Sequence, residues 1–115
     1  MKHEDFRRIN VILARGREIY TAQKRFGADP KILEADRAYF NAIAYGLLLS
    51  ALAAEKLSKE FRDRQSQIAW DRVAKWRDEL LENFDRVTAQ ELWLMLEDYA
   101  ELYGACFVEA DSAES

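Results

Sequence analysis

Apolar residues recur along this chain at the spacing of one helix face. Between Glu4 and Phe26 they fall at Phe6, Ile9, Ile12, Leu13, Ile19, Tyr20 and Phe26, one stripe at about 100° per residue. Gly16 sits on the same stripe, where an interior glycine costs about 1 kcal/mol against alanine. That cost predicts close approach of a neighbouring helix. Gly27-Ala28-Asp29-Pro30 reads as a stop and a restart. Glycine suits the residue after a helix, aspartate caps the next one, and proline is preset for its first position.

A second helix is expected from Pro30 to about Lys59. Its middle, Ala38 to Ala54, carries no charge over 17 residues. A helix apolar on all sides lies at the centre of a protein or in a membrane. The run falls short of a span of about 20 residues and contains Asn41, Gly46 and Ser50, so no membrane span is expected. The segment 62–67 has no apolar anchor and predicts a corner, with Ser66 as a cap. A third helix over 67–85 places Ala69, Val73, Trp76, Leu80, Phe84 and Val87 on one face, with Trp70 and Leu81 broadening it. Thr88-Ala89-Gln90-Glu91 has the form of a capping box, in which hydroxyl and carboxylate satisfy each other's free backbone N–H groups. It opens a fourth helix to about residue 107, with Leu92, Met95, Leu96, Tyr99, Leu102, Tyr103, Cys106 and Phe107 expected to face inward.

Together these elements predict an all-α protein. One domain spans 1–108, an antiparallel four-helix bundle around a nearly all-apolar second helix, and an acidic tail over 109–115 frays. Four helices give little to cover an all-round apolar one. Part of that helix is therefore expected to meet another chain, in a homo-oligomer or a complex with a different protein.

Composition narrows the chemistry. The chain has 115 residues, one proline, four glycines and one cysteine, so no disulfide can form within it. The N-terminal residues lack the apolar stretch and small-residue cleavage site of a signal peptide, and a cytoplasmic location is expected. His3 is the sole histidine and lies in an end expected to fray. With that histidine set in the terminus no base is expected for a serine or cysteine nucleophile, and one histidine makes neither a histidine set for zinc nor the two Glu-x-x-His motifs of a di-iron site. The glycines never cluster into a phosphate loop. Cys106, spaced with Tyr99, Leu102 and Tyr103, reads as a small buried hydrophobe. No cofactor, no metal and no catalytic residue is assigned, and an enzyme is not expected.

Charge then separates the binding candidates. Net charge is −4, yet residues 1–77 hold 16 basic against 10 acidic side chains and residues 78–115 hold one against 11. Arg7, Arg8, Arg15, Arg17, Lys24 and Arg25 make the first helix the most basic, a candidate surface for nucleic-acid phosphates. Asp78, Glu79 and Glu82, with Glu97, Asp98 and Glu101, form two acidic trios that could present a nucleic-acid-like surface to a basic protein. Tyr39, Tyr45, Trp70 and Trp93 are the candidate contacts for a protein partner, because aromatics at a core's edge are enriched at interfaces. The leading expectation is a non-enzymatic helical interaction module. The rivals are a nucleoprotein subunit using the first helix and an acidic inhibitor or mimic.

Overall fold

The computed structural model describes residues 2–114, which are helical with no strand among them. Helix α1 spans His3–Phe26, α2 Pro30–Ala35, α3 Arg37–Glu55, α4 Lys59–Arg64, α5 Trp70–Glu82 and α6 Ala89–Glu114, with a 3-10 turn at Phe84–Arg86. Four of the six are long. The expected helix over 30–59 is therefore two pieces, α2 and α3, and the chain turns into α4 at its expected end, each of the three with its own cap. Asp36 closes α2 and caps α3, accepting the Tyr39 N–H at 3.1 Å. Ser58 caps α4 through the Phe61 N–H at 3.1 Å. Helix thus runs through part of the predicted corner, and Ser66 caps nothing: α5 starts at Trp70 after Ala69, without a side-chain cap. The capping box forms as read, Thr88 N–H to Glu91 at 3.0 Å and Glu91 N–H to Thr88 at 3.1 Å. His3 is the first residue of α1 rather than part of a frayed end.

The expected frayed tail is helix up to Glu114, and Ser115 lies outside the described residues. Glu109 accepts from Arg64 at 2.6 Å and from Gln65 at 3.1 Å, and Ala110 is buried, so the last turns of α6 are tied to α4.

Long-range contacts fix the directions. Phe26 stacks on Tyr39, Ile19 meets Gly46, and Asp5 accepts from Ser58, so α1 and α3 run antiparallel. Arg77 pairs with Glu55 while Phe84 lies against Phe40, which sets α5 antiparallel to α3. A Cβ at Gly16 would stand 2.9 Å from the Tyr99 hydroxyl, the close approach its place on the stripe predicts. That hydroxyl donates to the Ile12 carbonyl and accepts from Ser50, joining α1, α3 and α6 inside the core. Asp5, 2% exposed, is the other buried polar anchor: it takes the Ser58 N–H at 2.8 Å and its hydroxyl at 2.6 Å.

One helix, α3, is long and apolar enough to cross a membrane by length and composition, with mean hydropathy 1.2. Of that stretch 56% is buried inside the fold.

Candidate functional site

Helix α3 carries two uncharged halves. At about 100° per residue, Ala53, Gly46, Tyr39, Ser50, Ile43, Ala54, Leu47, Phe40, Ala51 and Ala44 fall in one continuous arc. All are buried against α1, α5 and α6. The opposite arc presents Leu48, Asn41, Leu52, Tyr45, Ala38, Leu49 and Ala42. Asn41, Tyr45, Ala38 and Ala42 are exposed and the three leucines half-buried, and Tyr45 leaves 61% of its surface in water. A surface helix ordinarily turns charged and polar residues outward. This one turns out an uncharged stripe some five turns long.

The stripe has two rims. On one side lies α1, with Ala22, Glu18, Arg15, Val11 and Arg8 along its near edge. On the other lies α5, where Leu81, 51% exposed, is one turn from Arg77, the partner of Glu55. Between α3 and the end of α5 opens an apolar groove of about 330 Å³, lined by Asn41, Ala44, Tyr45, Leu48, Leu80 and Phe84. The basic side chains of both rims are paired locally. Arg15 reaches Glu18 at 3.2 Å, Arg8 lies 3.9 Å from Glu4, and Arg77 bridges Glu55 at 3.0 Å and Asp78 at 2.8 Å.

Of the four aromatic candidates, Tyr45 alone stands on this stripe in the open. Tyr39 is corrected: it is 0% exposed, stacked on Phe26, with its hydroxyl donating to the Gly27 carbonyl at 2.9 Å, and burial raises its pKa. Its place on the inner arc makes it core. Trp70 is half-buried, edge-on to Phe61, and its indole N–H donates to the Gln65 carbonyl at 3.1 Å. Trp93, on α6, is half-buried against the core.

The basic candidates do not gather. Helix α1 sits between α3 and α6, so Arg8 and Arg15 flank α3, Arg17 and Lys24 flank α6, and Arg7 and Arg25 point outward. Arg7 and Arg8 lie near Glu4, and Lys24 stands 5.5 Å from the centre of the Tyr20 ring. The acidic trios stay on separate helices. Asp98 is held by Arg72, with contacts from 2.9 to 3.2 Å, and Asp78 by Arg77; Glu82, Glu97 and Glu101 are exposed and Glu79 is half-buried. The acidic C-terminal third thus draws its partners, Arg72 and Arg64, from α4 and α5 rather than from α1.

A second groove, of about 470 Å³, runs between α1 and α6 over Gly16, Ile19, Tyr20, Leu96, Tyr99 and Tyr103. Spacing along either helix alone gave no sign of it, because its walls come from two helices far apart in the sequence. Among the described residues no three His, Cys, Asp or Glu side chains converge as metal ligands. Cys106 is 0% exposed, and burial pushes its thiol pKa up to about 12.

No protein-family model matches the chain, and comparison with curated proteins and with solved structures finds no significant similarity.

Proposed function

We propose that this chain is a non-enzymatic protein-interaction module, an antiparallel four-helix bundle of α1, α3, α5 and α6 that docks a protein partner on the outer face of α3. One observation carries the reading: the solvent-facing arc of α3 is free of charge from Ala38 to Ala54 and leaves Tyr45 61% exposed. Contiguous exposed apolar surface with a polar rim marks interaction sites in soluble proteins. Aromatic anchors beside a groove are the residues that dominate binding energy at such sites. The other half of the same helix is built into the core, which supports reading α3 as a docking face on the surface of the bundle.

A photo-reactive p-benzoylphenylalanine in place of Tyr45 tests the reading in cells. The expected result is one adduct of discrete mass, identified by mass spectrometry and abolished by adding Leu49→Arg. The same reagent at Leu94, which is 57% exposed on α6, gives none. A folded protein that yields no adduct at position 45 overturns the proposal.

A further inference from the structure

We infer that the groove between α1 and α6 is a binding site for a small aryl carboxylate. The site is separate from the outer face of α3 and stands or falls independently of the role given to that face.

Its walls are already in place. The Tyr99 hydroxyl is fixed between the Ile12 carbonyl, to which it donates, and Ser50, from which it accepts. The Tyr103 ring lies beside Tyr99 with centroids 6.3 Å apart, and Ile19 is seated against Gly46. The volume of about 470 Å³ falls in the range of about 300–1,000 Å³ common for small-molecule sites. A guest entering preformed walls has few side chains to order, which favours binding.

Length sets the size of that guest. The lining runs from Gly16 to Gln23 on α1 and from Leu96 to Tyr103 on α6, two turns of each helix. At 1.5 Å per residue that is about 10 Å, the span of two fused rings and a carboxyl group. A partner helix, itself about 10 Å across, does not enter between helices that touch at Gly16, where an added Cβ would meet the Tyr99 hydroxyl at 2.9 Å.

Charge complementarity sets the chemistry. Among the described residues Arg17 is the one charged side chain that lines the groove, and it has no ion-pair partner there. Its neighbour Glu18 is taken by Arg15 at 3.2 Å, and Glu97 and Glu101 of α6 are exposed and do not line the groove. The half-buried Gln23 amide is likewise without a side-chain hydrogen bond among the described residues. A guanidinium offers a carboxylate two parallel N–H donors, so an unpaired arginine at the edge of an apolar groove selects an anionic head. Tyr20, 62% exposed, and Tyr103 supply rings against which an aryl body packs offset or edge-on. Lys24, 5.5 Å from the Tyr20 ring centre, adds positive potential beside them.

Naphthalene-2-carboxylate titrated into the isotope-labelled chain and followed by amide NMR tests the site, with naphthalene-2-carboxamide as its neutral counterpart. The expected result is a saturable shift of the groove amides, Gly16 and Ala100 among them, with a dissociation constant of about 100 μM. The carboxamide binds about fivefold more weakly, the size of an exposed ion pair. Arg17→Gln, at an exposed position, weakens the carboxylate by the same factor and leaves the carboxamide unchanged. Tyr20→Leu weakens both about threefold. Ala100→Trp, also at an exposed position, fills the groove and removes both while the amides of α3 and α5 keep their shifts. Shifts that do not saturate, or that gather on α3, overturn the site, as does binding retained by a folded Ala100→Trp. Equal affinity for carboxylate and carboxamide overturns the anionic head, and a Tyr20→Leu chain that binds like wild type overturns the aryl body.

Discussion

At Gly16 two long helices come nearer than a side chain allows. An added Cβ would press on the Tyr103 ring and the Tyr99 hydroxyl, and that hydroxyl is pinned by the Ile12 carbonyl and Ser50. Gly16→Ala gains up to about 1 kcal/mol of helix propensity, but overpacking a close contact costs about 1–3 kcal/mol. The clash wins where the neighbour cannot retreat, so the net expected loss is up to about 2 kcal/mol. A lower denaturant midpoint at unchanged slope is the readout, and a stabilised variant would contradict the packing. Burial has a second consequence at Cys106. Its thiol is protonated in the folded chain up to about pH 12 but ionises near its ordinary value once unfolded. A raised acid pKa means the unfolded state loses its proton first, so this contribution is complete below about pH 8.5 and declines as pH rises toward 12. Stability should therefore fall between pH 8.5 and 11, and Cys106→Ala should flatten part of that fall. A Cys106→Ala curve parallel to wild type would show the thiol is not the titrating group. Tyr99, whose pKa burial also raises, adds to the alkaline loss in both proteins.

Among the elements, what could be read in the sequence was whatever is local. Gly27, Asp29 and Pro30 punctuate the chain within four residues, and Thr88 and Glu91 cap within three, so both boundaries were legible. Asp36 was equally local, yet it sits in an otherwise uninterrupted helical pattern. Only the turn it caps, through the Tyr39 N–H, shows that it ends one helix and starts another. Ser58 was missed for a different reason. Its hydroxyl caps α4 while donating to Asp5, 53 residues away, and no periodicity encodes such a pair. The tail failed in the same manner. Residues 109–115 look too polar to stay ordered, but Glu109 is held by Arg64 across 45 residues. That hydrogen bond holds the Glu109 carboxyl below the usual carboxylate range. A lowered pKa gives stability that is complete above about pH 4.3 and is lost as pH falls further. Because Arg64 is 44% exposed, the pair contributes about 0.5–1 kcal/mol. Glu109→Gln should cost that much at pH 7, lose its effect near pH 3, and speed amide exchange in the last turns of α6. Equal exchange rates in the two proteins would mean that Ala110 packing alone holds the turns.

For the molecule as a whole, the uneven charge along the chain is partly neutralised in space, and this bears on nucleic acid. A protein neutralising several phosphates shows an affinity that falls with salt at a log–log slope near −0.9 per contact on duplex DNA. A flat phosphate track therefore needs its cations on one side. Here α1 lies between α3 and α6, so its six candidate cations occupy three rows, two to a row, with Glu4 and Glu18 among them. Two further cations, Arg64 and Arg72, are bound to Glu109 and Asp98. A single row offers two contacts, for a slope of magnitude about 2, and affinity weaker than the roughly 10⁻⁴ M at the weak end of non-specific binding. Fluorescence anisotropy with a labelled duplex and a single-stranded RNA should show no saturation by 100 μM protein at 150 mM salt. At 20 mM salt the binding should be weak and should scarcely change on Arg7→Ala or Arg25→Ala. Tight binding with a slope of magnitude 5 or more would require cations from several rows to act together. No single face of α1 can present them, because its cations are split among three rows with Glu4 and Glu18 beside Arg8 and Arg15.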